Sequence, residues 1–372
     1  MTIRGTLSAL GLAAALCLAL LDPAMGMDKE FYVNTYRSIG VSPVQGQRAA
    51  AMGRTGAGIA DGVASINNNP AGLGAFTGYG MDVGLGYDWL DDGITSTDQV
   101  SFRLGGAVSL EKWRPSGASN QTVGAQLYTQ SYSGAGGVSM ERAQAGFALG
   151  YGIHLMQDLV AGASAALYDG DWSAQGSPTP FDRGFTGGEF KVGGLYRFSD
   201  EFTGGIVGGY SVGSYNDKGA YAQNNGSGNL NRWNLKAGVG YQFCDTTLLA
   251  GDIWYDNMST KVGGKGGHGS IQGVPAIEER NRAWGVSAGV EQQVLPDVLA
   301  LRGGMYYDRT SYSSAGSAGR AMFLDGTSDF GKSRFGFTAG AAVKLFSFDI
   351  GYSLDVNTKG DINNLFDLST EW

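Results

Sequence analysis

From Tyr79 to the C-terminus the chain alternates apolar and polar residues with period two. In 100–112 one face holds Val100, Phe102, Leu104, Gly106, Val108 and Leu110, and the other Ser101, Arg103, Gly105, Ala107, Ser109 and Glu111. In 232–243 Trp233, Leu235, Ala237, Val239, Tyr241 and Phe243 oppose Arg232, Asn234, Lys236, Gly238, Gly240 and Gln242. In 346–355 Phe346, Phe348, Ile350, Tyr352 and Leu354 oppose Ser347, Asp349, Gly351, Ser353 and Asp355. Successive side chains of a strand point to opposite faces, so each segment has an apolar face and a polar one. Such segments are ~10 residues long, the length that crosses a bilayer when tilted.

About fourteen of them can be counted. They lie near 79–90, 99–112, 122–131, 142–152, 158–168, 187–198, 202–213, 230–243, 246–256, 282–293, 298–309, 334–344, 346–354 and 364–372. Their connections alternate in length. Those at 153–157, 199–201, 244–245, 294–297 and 345 are short; those at 169–186, 214–229, 257–281 and 310–333 are long. Only 113–121, on the short side, is longer than the rest of its set. Transmembrane barrels combine an even strand number with short periplasmic turns and longer outer loops. The expected fold class is therefore all-β: a transmembrane antiparallel β-barrel of about 14 strands over 79–372. A soluble β-sandwich also alternates, but its strands are shorter and carry no one-sided loop pattern.

The N-terminus is different. Residues 1–26 read as a secretory signal peptide, with Arg4 as the positive region, Leu7 to Leu21 as the apolar run, and Ala24-Met25-Gly26 as a small-x-small cleavage site. Cys17 falls inside this leader, and Leu16 precedes it where a lipoprotein site has a small residue. Cys244 is then the one thiol of the mature chain, which excludes an internal disulfide. Beyond the leader no apolar run reaches the ~20 residues of a spanning helix, so membrane insertion requires a closed barrel. Residues 27–78 form an arm carrying Phe31, Tyr32 and Tyr36, followed by a stretch rich in small residues.

Composition sharpens this. Glycine supplies 63 of 372 residues, against a usual ~7%, with no collagen period; that suits closely packed, bending strands. A net charge of −8 argues against a nucleic-acid partner. No catalytic set appears: His154 belongs to a predicted periplasmic turn and His268 to an outer loop, so no triad can form around either. No Cys/His cluster has zinc spacing. Asp91-Asp92 and Asp325/Asp329 lack calcium-ligand spacing, and Gly263-Gly264-Lys265-Gly266-Gly267 lacks the strand and helix context of a phosphate loop. Neither a cofactor nor a metal is expected, and the chain reads as a non-enzyme.

Strand parity places Arg103, Glu111, Glu189, Lys191, Arg197, Arg232, Lys236, Asp252, Glu291, Arg302 and Asp308 on the inner face, with both signs present. Charges facing a lumen pair with each other or with a plug; a selectivity lining is the functional alternative. Leu195, Val207, Leu248 and Trp254 share the inward parity and are candidates for an apolar lumen patch, although a one-residue register slip would reverse them. Outward Trp233 and Tyr241 suit interfacial girdles.

The most distinctive stretch is RAAAMGRTGAGIADGVASINNNPAGL, from Arg48 to Leu73. Glycines at 53, 56, 58, 62 and 72 allow close backbone packing, and Asn69 before Pro70 is pushed out of the helical region into a turn. We read it as a compact hatch inside the barrel. Arg48, Ala49, Met52, Gly53, Gly56, Ala60, Asp61, Ala64, Ser65 and then Asn69, Pro70, Ala71, Gly72 and Leu73 follow, in order, a pattern that resembles the outer-membrane long-chain fatty acid transporter family. That family includes relatives among the barrels of type IX secretion. The C-terminal run ending Phe366, Leu368, Thr370 and Trp372 likewise looks like the signal read by barrel assembly machinery, with Trp in place of the usual Phe. The resemblance implies a bacterial outer-membrane barrel of fourteen strands, closed by an N-terminal hatch. Its partners would be outer-membrane lipids, the assembly machinery and a hydrophobic small-molecule ligand held in apolar pockets. A shift of the hatch and a gap in the wall would pass the ligand on; a kink near 122–131, beside Gly134, Gly136 and Gly137, is the expected gap. The secretion relatives imply the alternative, an attachment site for exported proteins without small-molecule flux.

Overall fold

A computed structural model describes residues 46–91, 96–111, 120–135, 139–175, 181–217, 227–262, 277–315 and 329–372. The leader, the arm residues 27–45, His268 and the glycine run 263–267 lie outside the described residues. Fourteen strands form one closed antiparallel barrel. They are β1 (Tyr79–Asp91), β2 (Ser96–Ser109), β3 (Gln121–Ala135), β4 (Ser139–Met156), β5 (Leu159–Gln175), β6 (Phe181–Arg197), β7 (Phe202–Asp217), β8 (Ser227–Cys244), β9 (Thr247–Val262), β10 (Ile277–Leu295), β11 (Leu299–Ala315), β12 (Asp329–Leu345), β13 (Phe348–Asn357) and β14 (Ile362–Glu371). Closure of β14 on β1 pairs Gly80 with Glu371 through Trp89 with Ile362. No described strand is left as an edge, as a hydrocarbon surround demands.

Each segment expected from alternation is a strand, but most run further at their outer ends. β5 continues to Gln175 and β9 to Val262. Residues such as Asp169-Gly170-Asp171 have no apolar face, so the period-two signal fades there while backbone pairing continues. The exterior is apolar: Leu85, Leu127, Phe147, Leu167, Ile206, Trp233, Leu235, Tyr241 and Ile253 are all exposed. The alternate positions point inward and are buried, among them Arg103, Gln126, Glu189, Asp252, Glu291 and Asp308. This is the parity read from sequence.

Many inward positions are glycine because something lies against them. Tyr168 stands opposite Gly187, Phe185 opposite Gly170, Trp254 opposite Gly285 and Tyr306 opposite Gly336. A Cβ at Gly285 would sit 2.7 Å from the Trp254 indole, and one at Gly170 2.6 Å from the Phe185 ring. The rings therefore lie against the next strand, occupying space a side chain would need.

One expectation fails. β3 keeps an unbroken register with β2, from Ser96 opposite Ala135 to Ser109 opposite Thr122. It does so with β4 as well, from Gln121 opposite Ile153 to Gly134 opposite Met140. There is no kink at 122–131. Gly134 sits within the ladder, where small size does not by itself bend a strand whose backbone bonds are made on both sides; Gly136 and Gly137 lie outside the described residues. Among the described residues the register shifts that do occur are next to short turns, at His154/Met156, Gln242/Cys244 and Gln293/Leu295.

Candidate functional site

Residues 46–76 fill the half of the bore nearer the short turns. They comprise α1 (Gln47–Ala51), α2 (Ser65–Asn68) and a 3-10 turn (Pro70–Ala75), and their only regular pieces are short because glycines and Pro70 interrupt them. Ala51, Met52, Ala57, Ala71 and Leu73 are fully buried. The wall makes room by being bare backbone at the contacts. A Cβ at Gly289 would lie 2.6 Å from that of Met52, and one at Gly152 2.7 Å from the Leu73 carbonyl carbon. On the plug's side, Gly53 adopts φ +73 and a Cβ there would meet the Ala288 carbonyl oxygen at 2.5 Å.

Asn69 is the keystone of the Asn69-Pro70-Ala71-Gly72-Leu73 motif. Pro70 forces it to extended backbone, φ −151 and ψ 105. Its Oδ1 accepts from Ala71 N at 3.2 Å, capping the 3-10 turn. Its Nδ2 donates to the Ala57 carbonyl at 2.8 Å and to the Gly194 carbonyl of β6 at 3.3 Å. The side chain is completely buried. Asn69→Ala leaves three backbone groups without their partner, at about 1–3 kcal/mol each for those that water cannot reach. The expected result is a loosened plug: protease cleavage between residues 54 and 68 should become much faster, while β-sheet circular dichroism is unchanged.

Polar pegs bind the earlier part of the plug to β9–β14. Arg48 Nη2 meets Glu291 Oε1 at 2.9 Å, and Glu291 Oε2 also takes Arg302 Nε at 2.6 Å. Arg48 also reaches Asp61. Arg54 Nε donates to Asp355 Oδ2 at 2.8 Å. Asp252 Oδ2 accepts from Gly56 N at 2.7 Å and Ala57 N at 3.1 Å, and pairs with Lys236 at 2.8 Å. Gln47 N donates to Asp367 Oδ2 at 3.1 Å, and Gln47 also accepts from Arg302. Burial works to lower the pKa of both plug arginines, but Asp61 and Glu291 around Arg48, and Asp355 beside Arg54, more than offset it. Both stay cationic.

The inner-face candidates thus resolve individually. Arg103 is wholly buried between Asp82 and Asp367. Arg232 pairs with Asp256, Lys191 with Glu189, and Asp308 with Arg334. Lys236, Asp252 and Arg302 hold the plug rather than line an open lumen. Arg197 has inward parity, but it ends β6 and is exposed at the short-turn rim; Glu111 lies beyond β2 and is exposed too. Leu195 packs with Ala71 and Val160 at plug level; Val207 is buried, while Leu248 and Trp254 are half-buried on the inner face.

Beyond the plug, toward the long loops, Tyr168, Trp172, Phe185, Tyr215 and Leu230 of β5–β8 line a small, partly open aromatic pocket, with Arg183 at its side. Alternation did not reveal it, because Trp172 and Phe185 lie in outer strand extensions that sequence assigns to a loop. Their aromatic character at inward parity was the available signal.

No family model matches the sequence, and no characterised protein matches it. Known structures do. The toluene transporter TodX of Pseudomonas putida superposes with a TM-score of 0.56 at 14% identity, covering 88% of this chain and 98% of that one. The Ralstonia pickettii toluene transporter TbuX gives 0.55 at 13% identity, over 90% of this chain and 100% of that one. A Pseudomonas aeruginosa FadL homologue gives 0.60 at 13% identity, over 88% and 98%. At such identities the likeness is one of fold.

Proposed function

We propose that the protein is a bacterial outer-membrane channel for passive uptake of small hydrophobic compounds, with the residue 46–76 plug as its gate. The observation that carries this reading is the aromatic pocket above a plugged periplasmic half in an otherwise closed barrel. Sequential pocket and stopper is the arrangement a diffusion channel needs to pick up an apolar solute without leaking water. The toluene and FadL-type barrels that share the fold support the same class of cargo. The apolar exterior and the closed ladder support placement in an outer membrane. Nothing in this scheme calls for chemistry, and the protein is read as a non-enzyme.

Trp172 and Phe185 are two of the aromatic side chains that line the pocket. Burying an aromatic ring removes some 150–250 Å2 from water, and losing part of that contact costs about 1–2 kcal/mol. Uptake of radiolabelled toluene by cells carrying Trp172→Ala/Phe185→Ala is therefore expected to fall about tenfold at subsaturating concentration. Uptake equal to that of the unaltered protein would refute the pocket's role. Native mass spectrometry in detergent separates the attachment alternative: a co-purified lipid or hydrocarbon supports transport, and a stoichiometric exported protein overturns it.

A further inference from the structure

We propose that the preferred cargo is an aromatic compound bearing a neutral acceptor oxygen, such as an aryl ketone, and that Gln126 and Tyr128 of β3 bind that oxygen. The inference rests on the transport reading above and narrows its substrate class.

The strand registers place a polar belt between the plug and the aromatic pocket. Position 124 of β3 is at plug level: a Cβ at Gly124 would lie 2.9 Å from Ile66 Cδ1. Two residues further along, Gln126 touches the plug, where its Oε1 accepts from the Asn67 side-chain amide of α2. Its row continues across the wall through Ala148 and Ala166 to Glu189. The next inward position is Tyr128, whose row runs over Gly146 to Tyr168, a pocket residue. A compound leaving the pocket toward the plug meets these two rows first.

Two groups of this belt are orphans. Gln126 Nε2 and Tyr128 Oη are buried without a hydrogen-bond partner among the described residues, and both side chains are only 1% exposed. The Tyr128 ring lies over Gly146, in the space a Cβ would take, so packing holds the phenol in place without bonding its hydroxyl. A buried donor left unmade costs stability, and protein interiors satisfy nearly all of theirs. These two share one face of one strand, ~7 Å apart along it, and side chains of their length can converge on a single atom. A carbonyl oxygen has two lone pairs and can accept from both.

The oxygen is assigned as neutral because the charges of the belt are already matched. Lys191 Nζ meets Glu189 Oε2 at 2.9 Å and donates to the Asn67 carbonyl at 3.1 Å. Arg232, two strands along the row from Glu189, pairs with Asp256 at 2.6 Å. An anion would have to break one of these pairs to gain a cation, whereas a ketone breaks none. A hydrocarbon leaves both donors unmade, and a site with unmade donors discriminates against it.

Acetophenone and ethylbenzene have nearly the same shape and differ by the oxygen beside the ring. Uptake of each, radiolabelled and subsaturating, is measured in cells carrying the barrel and corrected for cells lacking it. The unaltered protein is expected to take up acetophenone at least threefold faster than ethylbenzene. Gln126→Met/Tyr128→Phe should bring that ratio close to one. Tyr128→Phe alone should at least halve it; this variant removes a hydroxyl that bonds nothing in the fold, so it serves should the double variant fail to fold. A ratio below threefold in the unaltered protein, a ratio unchanged in the folded variants, or faster uptake of benzoate than of acetophenone overturns the inference. Entry of neither aromatic compound above that of cells lacking the barrel would overturn the transport reading itself.

Discussion

A chain lacking residues 48–73 is expected to insert as an open pore, with permeability to small polar solutes raised about tenfold or more over the intact protein. The barrel does not depend on the plug for closure, because every strand pairs with two others through its own ladder. What the plug does fill is a bore whose wall has been stripped of side chains at the contacts, for instance at Gly152, Gly289 and Gly304. Removing it leaves a wide passage, not one that neighbouring side chains can collapse into. The carboxylates of Asp252, Glu291 and Asp355, freed from plug donors, then face water as the lining of a porin-like channel. Sucrose-driven swelling of proteoliposomes measures this directly. Rates no higher than those of the intact barrel would mean that the plug does not close the passage.

The largest stability effect should come from Arg103. It is buried among Asp82, whose Oδ2 it meets at 2.7 Å, and Asp367, at 2.9 Å. These positions span β1, β2 and β14, across the seam where the barrel closes, and Asp367 also receives the Gln47 backbone N–H of the plug. Arg103→Ala leaves two carboxylates close together without their cation. Breaking a buried pair in this way costs about 3–5 kcal/mol. We expect a lower urea midpoint and a lower temperature for loss of the compact electrophoretic form. Asp82→Asn in the same chain should recover part of the loss, since it removes one uncompensated charge. A single Arg103→Ala variant as stable as the parent would show that the cluster is worth little.

How far these features could be read from sequence depends on whether their signal is local. Period-two alternation such as Trp233 to Phe243 against Arg232 to Gln242 is written within a dozen residues, and it placed all fourteen strands and their inward faces. The Asn69-Pro70 turn is equally local, and its buried position follows from the small residues around it. The partners of the plug are not local. Gln47 bonds to Asp367 across 320 residues, and nothing in either segment announces the other. Wall glycines such as Gly152 and Gly289 carry no pattern at all, because their role is to leave space. Trp172 and Phe185 were hidden for a third reason: their strands outlast the bilayer, so the apolar face that marks a strand is gone where they sit. The kink sought near 122–131 leaned on glycine content, and glycine in a fully bonded ladder stays straight.

The seam has a further consequence. Tyr79 N donates to the Trp372 carbonyl at 2.7 Å, and Trp372 N returns a bond to Tyr79 at 2.9 Å. Trp372, just past β14, thus helps to seal the cylinder beside the first strand. A segment lying immediately ahead of that strand, packed against wall residues such as Gly105, Gly152, Gly205 and Gly289, is enclosed by the strands that follow it. Such an arrangement favours an assembly order in which the polypeptide wraps around its own early portion before zipping shut.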